Sequence, residues 1–127
     1  MAKTFIKTLF HYRAESKFKL HEFVLMPDHF HLILTPSEIT LERAVQLVKG
    51  GFSRRVSSEL KNSMEIWQKG FADHRIRDLE DYKLREQYIF MNPVRARLCS
   101  LPKEYEYSSL RFRSRLDPLP QRLKPLV

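Results

Sequence analysis

The chain has 127 residues, 43% of them apolar and 12% aromatic, which suits a single domain with a core and excludes global disorder. Its net charge of +8, concentrated in residues 83–127, makes nucleic acid the first partner to consider, although many basic proteins bind none. The single cysteine, Cys99, excludes an intrachain disulfide framework and fits a reducing cytoplasm. No apolar run approaches the roughly 20 residues of a membrane-spanning helix, and the N-terminus does not resemble a secretory signal.

The first predicted elements are a helix and an antiparallel hairpin. Apolar residues recur at i, i+4 and i+7 within residues 2–15, which predicts a helix. Residues 18–26 have the composition of a strand, and Pro27-Asp28 is a turn signal. Residues 29–34 form a second strand-like run, so the two runs are predicted to pair.

A second helix is predicted to begin after Thr40, whose hydroxyl is placed to cap it. Apolar residues repeat at helical spacing over residues 41–56, across the pair Gly50-Gly51. Each glycine costs roughly 1 kcal/mol relative to alanine, so the pair is compatible with a kink, a close backbone approach or a helix break. An irregular strand is predicted over residues 66–76.

The last predicted helix begins at Asp78 and runs through Tyr88 towards Asn92, where Pro93 ends or bends it. Residues 100–127 hold several prolines and an excess of basic residues, which predicts an irregular basic tail. The order of helix, two strands, helix, strand and helix predicts one α+β domain across the whole chain, with helices packed on an antiparallel sheet.

The spacing of His29 and His31 indicates a candidate metal site. On a strand, residues i and i+2 point to the same face about 7 Å apart, so the two imidazoles could converge on one cation. Phe30 then turns to the opposite face of the sheet. An isolated His-x-His pattern is more often a coincidence, so further residues must decide.

Tyr88 and Asn92 lie one helical turn apart and share a face of the last helix. A phenol with a pKa near ~10 is a poor nucleophile at neutral pH, but it becomes useful when a metal polarises the target phosphate. An amide oxygen one turn away could complete the coordination of a hard ion such as Mg²⁺ or Mn²⁺. A packing tyrosine and a helix-ending asparagine explain the same spacing, so spacing alone leaves both interpretations open.

Five separated blocks of the sequence carry a resemblance to one protein family. They are residues 23–34 (FVLMPDHFHLIL), 48–53 (VKGGFS), 67–71 (WQKGF), 88–96 (YIFMNPVRA) and 105–109 (YEYSS). In order and spacing they are similar to the REP-associated tyrosine transposases, HUH-class, domesticated relatives of the transposases of single-strand insertion sequences. Several blocks that agree together are far more specific than any one of them.

This resemblance implies a ferredoxin-like α+β fold with the catalytic tyrosine on the last helix. It implies that His29 and His31 bind a divalent metal, Mg²⁺ or Mn²⁺, and that Asn92 is the third, polar ligand. It also implies that Tyr88 attacks a phosphate of single-stranded DNA at a hairpin-forming repeat. The products would be a 5′-phosphotyrosine link and a free 3′-hydroxyl, and a different 3′-hydroxyl would reverse the step.

Basic residues beside these blocks are candidate phosphate contacts. They are Lys49, Arg54 and Arg55 on the second helix, and Arg95 and Arg97 after the tyrosine. For any single one of them, a solvated surface charge is the simpler explanation. Single-stranded DNA with hairpins is therefore the expected partner of a cytoplasmic, nucleoid-associated protein, and a monomer and a homodimer are both compatible with the sequence.

The sequence departs from the family pattern at its start. Family chains begin with a strand before the first helix. In this sequence the first predicted element is the helix, as expected of a truncated chain. The absent strand would lie beside the strand of His29 and His31, so its loss would leave a central edge unpaired. An upstream start codon, a decaying inactive copy and a strand borrowed from a second copy are all compatible with this expectation.

Two other functions stay open beside the enzyme. The first is a protein that binds DNA hairpins through the same basic surface but no longer cuts. The second is an RNA-binding ferredoxin-like module, which would need exposed aromatic side chains such as Phe23 and Phe30 for base stacking. This second function gives His29, His31 and Tyr88 no joint explanation.

Overall fold

The computed structural model of the chain describes residues 2–27, 29–60, 76 and 78–120, and for residues 55–60 the backbone alone. The helices and strands are α1 (Ala2–Ala14), β1 (Phe18–Leu25), β2 (Phe30–Pro36), α2 (Leu41–Leu60) and α3 (Leu79–Arg95). Three short 3₁₀ turns follow at Pro102–Glu104, Ser109–Arg111 and Arg113–Arg115. The predicted helices and hairpin are confirmed, with ends that differ by a few residues. The strand predicted over 66–76 lies outside the described residues, apart from Ile76, which belongs to no regular element.

The hairpin of β1 and β2 contains a β-bulge at His21. Leu20 is opposite Leu34 and Glu22 is opposite Ile33, so His21 is the extra residue on β1. Because side chains alternate along a strand, the extra residue reverses the faces of everything that follows it. Leu20 therefore lies in one core cluster, whereas Glu22 turns to the other face of the sheet.

Two apolar clusters lie on the two faces of this hairpin. The larger one joins the hairpin to α1 and α2 and includes Phe5, Leu9, Phe23, Val48 and Phe52. The smaller one joins the hairpin to α3 and consists of Val24, Met26, Ile33, Tyr82 and Ile89. The sheet is thus a layer between α1 and α2 on one side and α3 on the other, and the predicted α+β class is confirmed.

The segment that follows α3 covers the outer edge of β1. The Leu25 N–H donates to the Tyr107 carbonyl at 2.9 Å, and the Asp117 N–H donates to the Leu20 carbonyl at 2.9 Å. The Asp117 carboxylate also accepts the Leu20 N–H at 2.8 Å. Within residues 100–120 the predicted tail is therefore irregular but docked on the sheet, and residues 121–127 lie outside the described chain.

Helix α2 begins after Thr40, as predicted, and continues past the two glycines. The Thr40 hydroxyl accepts the Arg43 N–H at 3.1 Å, which is an N-cap. The helix runs through Gly50 and Gly51 without interruption, so the helix-break interpretation is wrong. A Cβ atom at Gly50 would meet the Arg54 guanidinium at 3.7 Å, an ordinary contact, and the helix tolerates the glycines because neighbouring residues pack on the core.

Helix α3 does not end at Asn92. It continues through the buried Pro93 to Arg95, although Pro93 has no N–H to donate to the preceding turn. Its end is set by the next residues: the N–H groups of Arg97 and Leu98 donate to the carbonyls of Val94 and Pro93 at 3.0 and 2.9 Å. This is a Schellman motif, with Arg97 in the left-handed region at φ 61°.

Across the described ranges, no helix is both long enough and apolar enough to cross a membrane.

Candidate active site

The two predicted histidines lie together at the start of β2. The ring centroids of His29 and His31 are 5.0 Å apart, with the ring planes nearly perpendicular at 88°. His29 precedes the strand by one residue, and its carbonyl accepts the Met26 N–H at 2.8 Å, which closes the hairpin turn. This bond holds His29 near His31 although His29 is not itself part of the β ladder.

Phe30 turns to the opposite face of the sheet, as predicted. Its ring centroid is 4.7 Å from that of Phe5 on α1, and it packs on the larger core cluster. Phe23 is fully buried in the same cluster. Phe23 is thus enclosed in the core and Phe30 is packed against it, so these two residues do not form the exposed aromatic surface that the RNA-binding alternative needs.

Helix α3 brings Tyr88 to the histidine pair. Its ring centroid lies 5.3 Å from that of His31, with an interplanar angle of 89°. Tyr82 and Ile89, which pack on Val24 in the smaller cluster, fix α3 on the sheet at this level. Tyr88 itself remains 45% exposed, so its hydroxyl is accessible to a large substrate.

His31 has an unsatisfied buried nitrogen. Its Nε2 atom is shielded from solvent and has no hydrogen-bond partner among the described residues. Burial lowers the pKa of the His31 imidazole, and His29 and the positive charge of Arg95 act in the same direction. A neutral imidazole with a free nitrogen is the form that binds a metal ion. The site therefore fits a cation ligated by His31.

Asn92 is half-buried on α3, one turn after Tyr88. Its backbone carbonyl accepts the Ala96 N–H at 3.0 Å, so the residue is held in a regular helical turn. No cluster of three or more His, Cys, Asp or Glu side chains that could hold a metal occurs in the part of the chain that the structure describes. Within those residues, a third protein ligand beside His29 and His31 would have to be a different kind of donor, and the amide oxygen of Asn92 is of a type that Mg²⁺ and Mn²⁺ accept.

The five candidate phosphate contacts do not gather in one place. Lys49 and Arg54 lie on α2, which the sheet separates from α3, and Arg54 donates to the Tyr12 hydroxyl at 3.2 Å. The side chain of Arg55 lies outside the described residues. Arg97 is exposed just beyond the end of α3. The fifth, on α3, is in contact with Tyr88.

That fifth residue is Arg95. Its guanidinium carbon lies 4.5 Å from the centroid of the Tyr88 ring. Its Nη2 donates to the Tyr88 carbonyl at 3.0 Å. From the sequence, Arg95 is a candidate phosphate contact, and a solvated surface charge is the simpler explanation. Its contact with Tyr88 is not predicted, although a spacing of seven residues is compatible with a shared helix face.

Sequence reasoning also missed a buried carboxylate beside α3. Glu22 is 1% exposed, forms an ion pair with the Arg113 guanidinium and accepts the Ser109 hydroxyl at 3.3 Å. Burial raises the pKa of the Glu22 carboxyl to about 7, although the Arg113 charge lowers it. This group turns inward because of the bulge at His21, which no local pattern in the sequence announces.

A family model described as "Transposase IS200 like" matches residues 1–92 of the chain, which is more than half of it. The chain belongs to the IS200-like transposases. Among similar proteins, a putative REP-associated tyrosine transposase of Haemophilus influenzae is 32% identical to this IS200-like transposase over an alignment of 96 residues. The match covers 67% of this chain and 54% of the relative. A REP-associated tyrosine transposase of Escherichia coli K12 is 32% identical over 85 residues, 65% of this chain and 48% of the relative.

This IS200-like transposase therefore spans about half the length of the curated relatives that it matches. A solved structure of a REP-associated tyrosine transposase bound to a REP hairpin superposes on it with a TM-score of 0.71. The two chains are 24% identical, and the match covers 91% of this chain and 69% of the other. At that identity the likeness shows a common fold, and it confirms the predicted α+β fold. The family match and the two curated relatives confirm the family resemblance.

Proposed function

We propose that this IS200-like transposase cleaves and rejoins single-stranded DNA at hairpin-forming repeats, with Tyr88 as nucleophile. We further propose that His29 and His31, with Asn92 as the third ligand, hold Mg²⁺ or Mn²⁺. One observation carries the proposal: the accessible Tyr88 ring lies 5.3 Å from His31, whose buried Nε2 has no hydrogen-bond partner in the described chain. A nucleophile beside an unused ligand atom is the arrangement that metal-assisted phosphoryl transfer needs.

The chemistry of the chain's own residues follows from this placement. The Tyr88 phenol oxygen forms a bond to a backbone phosphorus, the bond from phosphorus to the 3′-oxygen breaks, and the phenol proton passes to solvent. The departing 3′-oxygen takes up a proton and becomes a free hydroxyl, and the other fragment stays attached through a 5′-phosphotyrosine. When bound, the metal would polarise the phosphate and offset its developing negative charge.

Rejoining needs no nucleotide cofactor. The phosphotyrosine ester conserves the energy of the broken phosphodiester, so a different 3′-hydroxyl can attack it and release Tyr88. Hairpin DNA as the substrate is supported by the relative that was solved with a REP hairpin and by the net charge of +8. Such a substrate implies a location with the cytoplasmic nucleoid.

The test uses a DNA hairpin labelled at its 3′ end, because the 3′ fragment is the one that stays on the protein. The protein is incubated with this DNA and Mn²⁺, denatured and separated by size. The expected result is a labelled protein adduct that disappears in Tyr88→Phe and with a chelator. Tyr107→Phe is the matched control, since Tyr107 packs on the larger core cluster, away from the histidines, and it should retain the adduct.

Two results would contradict the proposal. An adduct that persists in Tyr88→Phe would assign the nucleophile elsewhere. A folded protein that binds the hairpin but forms no adduct would be the binding-only alternative, a protein that recognises DNA hairpins without cutting them.

A further inference from the structure

Arg95 contacts Tyr88 in two ways at once. The guanidinium carbon lies 4.5 Å from the centre of the phenol ring, which is a cation–π contact. The same guanidinium donates from Nη2 to the backbone carbonyl of Tyr88 at 3.0 Å. The hydrogen bond ties the guanidinium to the helix backbone and so helps to keep it over the Tyr88 ring.

Tyr88 needs such a restraint because of where it lies. The side chain is 45% exposed on the surface of α3, where a phenol ordinarily samples several rotamers. Among the contacts described for the ring, His31 packs edge to face at a centroid distance of 5.3 Å, and the guanidinium of Arg95 lies over the ring. An attacking oxygen must be held within a fraction of an ångström of its productive position, since a displacement of about 1 Å can cost a factor of ~100 in rate.

We propose that Arg95 is a positioning residue, which sets the rotamer of Tyr88 through the ring contact and is not simply one more phosphate contact. The inference rests on the proposed role of Tyr88 as nucleophile. The proposal applies to Arg95 and not to Arg97. Arg97 lies two residues later, beyond the end of the helix, at a left-handed φ of 61°. A positioning residue affects the rate of the bound complex, whereas a phosphate contact affects affinity and its salt dependence.

The first experiment compares Arg95→Met, Arg95→Lys and the control Lys83→Met. Lys83 is an exposed cation on the same helix, so its loss changes the net charge equally. For each variant, the hairpin dissociation constant is measured at several salt concentrations. The rate constant for adduct formation is then measured at saturating hairpin and Mn²⁺.

We expect Arg95→Met to lower the rate constant at saturation by about tenfold with little change in affinity. Arg95→Lys should recover part of the rate, because an ammonium can lie over the ring but lacks the planar fork of donors. Lys83→Met should change neither quantity. A lower affinity with a salt slope reduced by about one, and an unchanged rate at saturation, would overturn the proposal and make Arg95 a phosphate contact.

The second experiment does not depend on activity. The tyrosine rings are labelled with ¹³C, the Tyr88 signal is assigned by its loss in Tyr88→Phe, and spectra are recorded without metal. We expect the Tyr88 ring signals to shift in Arg95→Met and not in Lys83→Met. Unchanged ring signals in Arg95→Met would refute the ring contact, whether or not Tyr88 is the nucleophile. An adduct that survives Tyr88→Phe would instead refute the proposed function and leave this spectral test valid.

Discussion

Replacing Glu22 with glutamine should flatten the dependence of the stability of this protein on pH between about 4.5 and about 7. Glu22 is 1% exposed, and burial raises the pKa of its carboxyl to about 7 from an ordinary value of 4.5. Within this window the folded chain retains a proton that the unfolded chain has lost. Stability is therefore highest below the unfolded pKa and decreases as the pH rises through the folded pKa.

The magnitude follows from the two pKa values. Each pKa unit corresponds to about 1.4 kcal/mol, so the difference between 4.5 and about 7 amounts to about 3 kcal/mol of unfolding free energy lost across the window. This figure is for Glu22 alone, with the Arg113 ion pair already included because that charge helps to set the folded pKa. It is a large part of the stability of a typical domain.

The assay is urea unfolding of the wild type and Glu22→Gln at pH 5 and pH 8. Subtracting the unfolding free energies of the two proteins at each pH removes the contributions of all other titrating groups. We expect the wild type to lose about 2.5 kcal/mol more than the variant between the two pH values, because part of the effect has already developed at pH 5. Glu80→Gln, which removes an exposed carboxylate on α3, should behave as the wild type does. Equal pH dependence in the wild type and Glu22→Gln would refute the reasoning.

Three further predictions concern single residues. Arg97→Gly should raise the unfolding free energy by about 1 kcal/mol in thermal or urea unfolding, because glycine adopts the left-handed φ of 61° without strain; a loss of stability would contradict this. Asp117→Ala should lower it by about 2 kcal/mol, because the Leu20 N–H loses its acceptor at 2.8 Å; urea unfolding with an unchanged midpoint would show that the edge contact is dispensable. His31→Ala should abolish Mn²⁺ binding in calorimetry while His11→Ala retains it, and equal binding by both would place the metal elsewhere.

Much of the fold could be predicted because its signals are local. Thr40 and Asp78 are N-caps in the sequence and in the structure, where the Asp78 carboxylate accepts the Asp81 N–H at 2.8 Å. The end of α3 could not be placed in this way. Pro93 predicted an end or a bend, but the helix continues through this buried residue, and the Schellman motif after Arg95 determines the end.

The candidate site likewise has one part that local sequence signals predict and another that depends on tertiary packing. The sequence alone predicted that His29 and His31 lie close together. The reason differs in part, because His29 lies just before the strand and is held there by the bond from the Met26 N–H to its carbonyl. Nothing local brings Tyr88 to His31, because that contact depends on how α3 packs on the sheet, and only the family resemblance pointed to it. The inward turn of Glu22 depends on a bulge whose position is decided by pairing between strands.

The edge of β1 is completed by residues from the other end of the chain. Leu20 bonds to Asp117, 97 positions later in the sequence. During synthesis, the hairpin emerges before residue 117, and until then the β1 backbone groups of Leu20 remain open to water. A nascent strand with unpaired backbone groups is a template for pairing with neighbouring chains that are synthesised on the same mRNA. The edge of β1 is therefore closed only after residue 117 has been translated, and chains cut short before that residue present an unpaired edge to their neighbours.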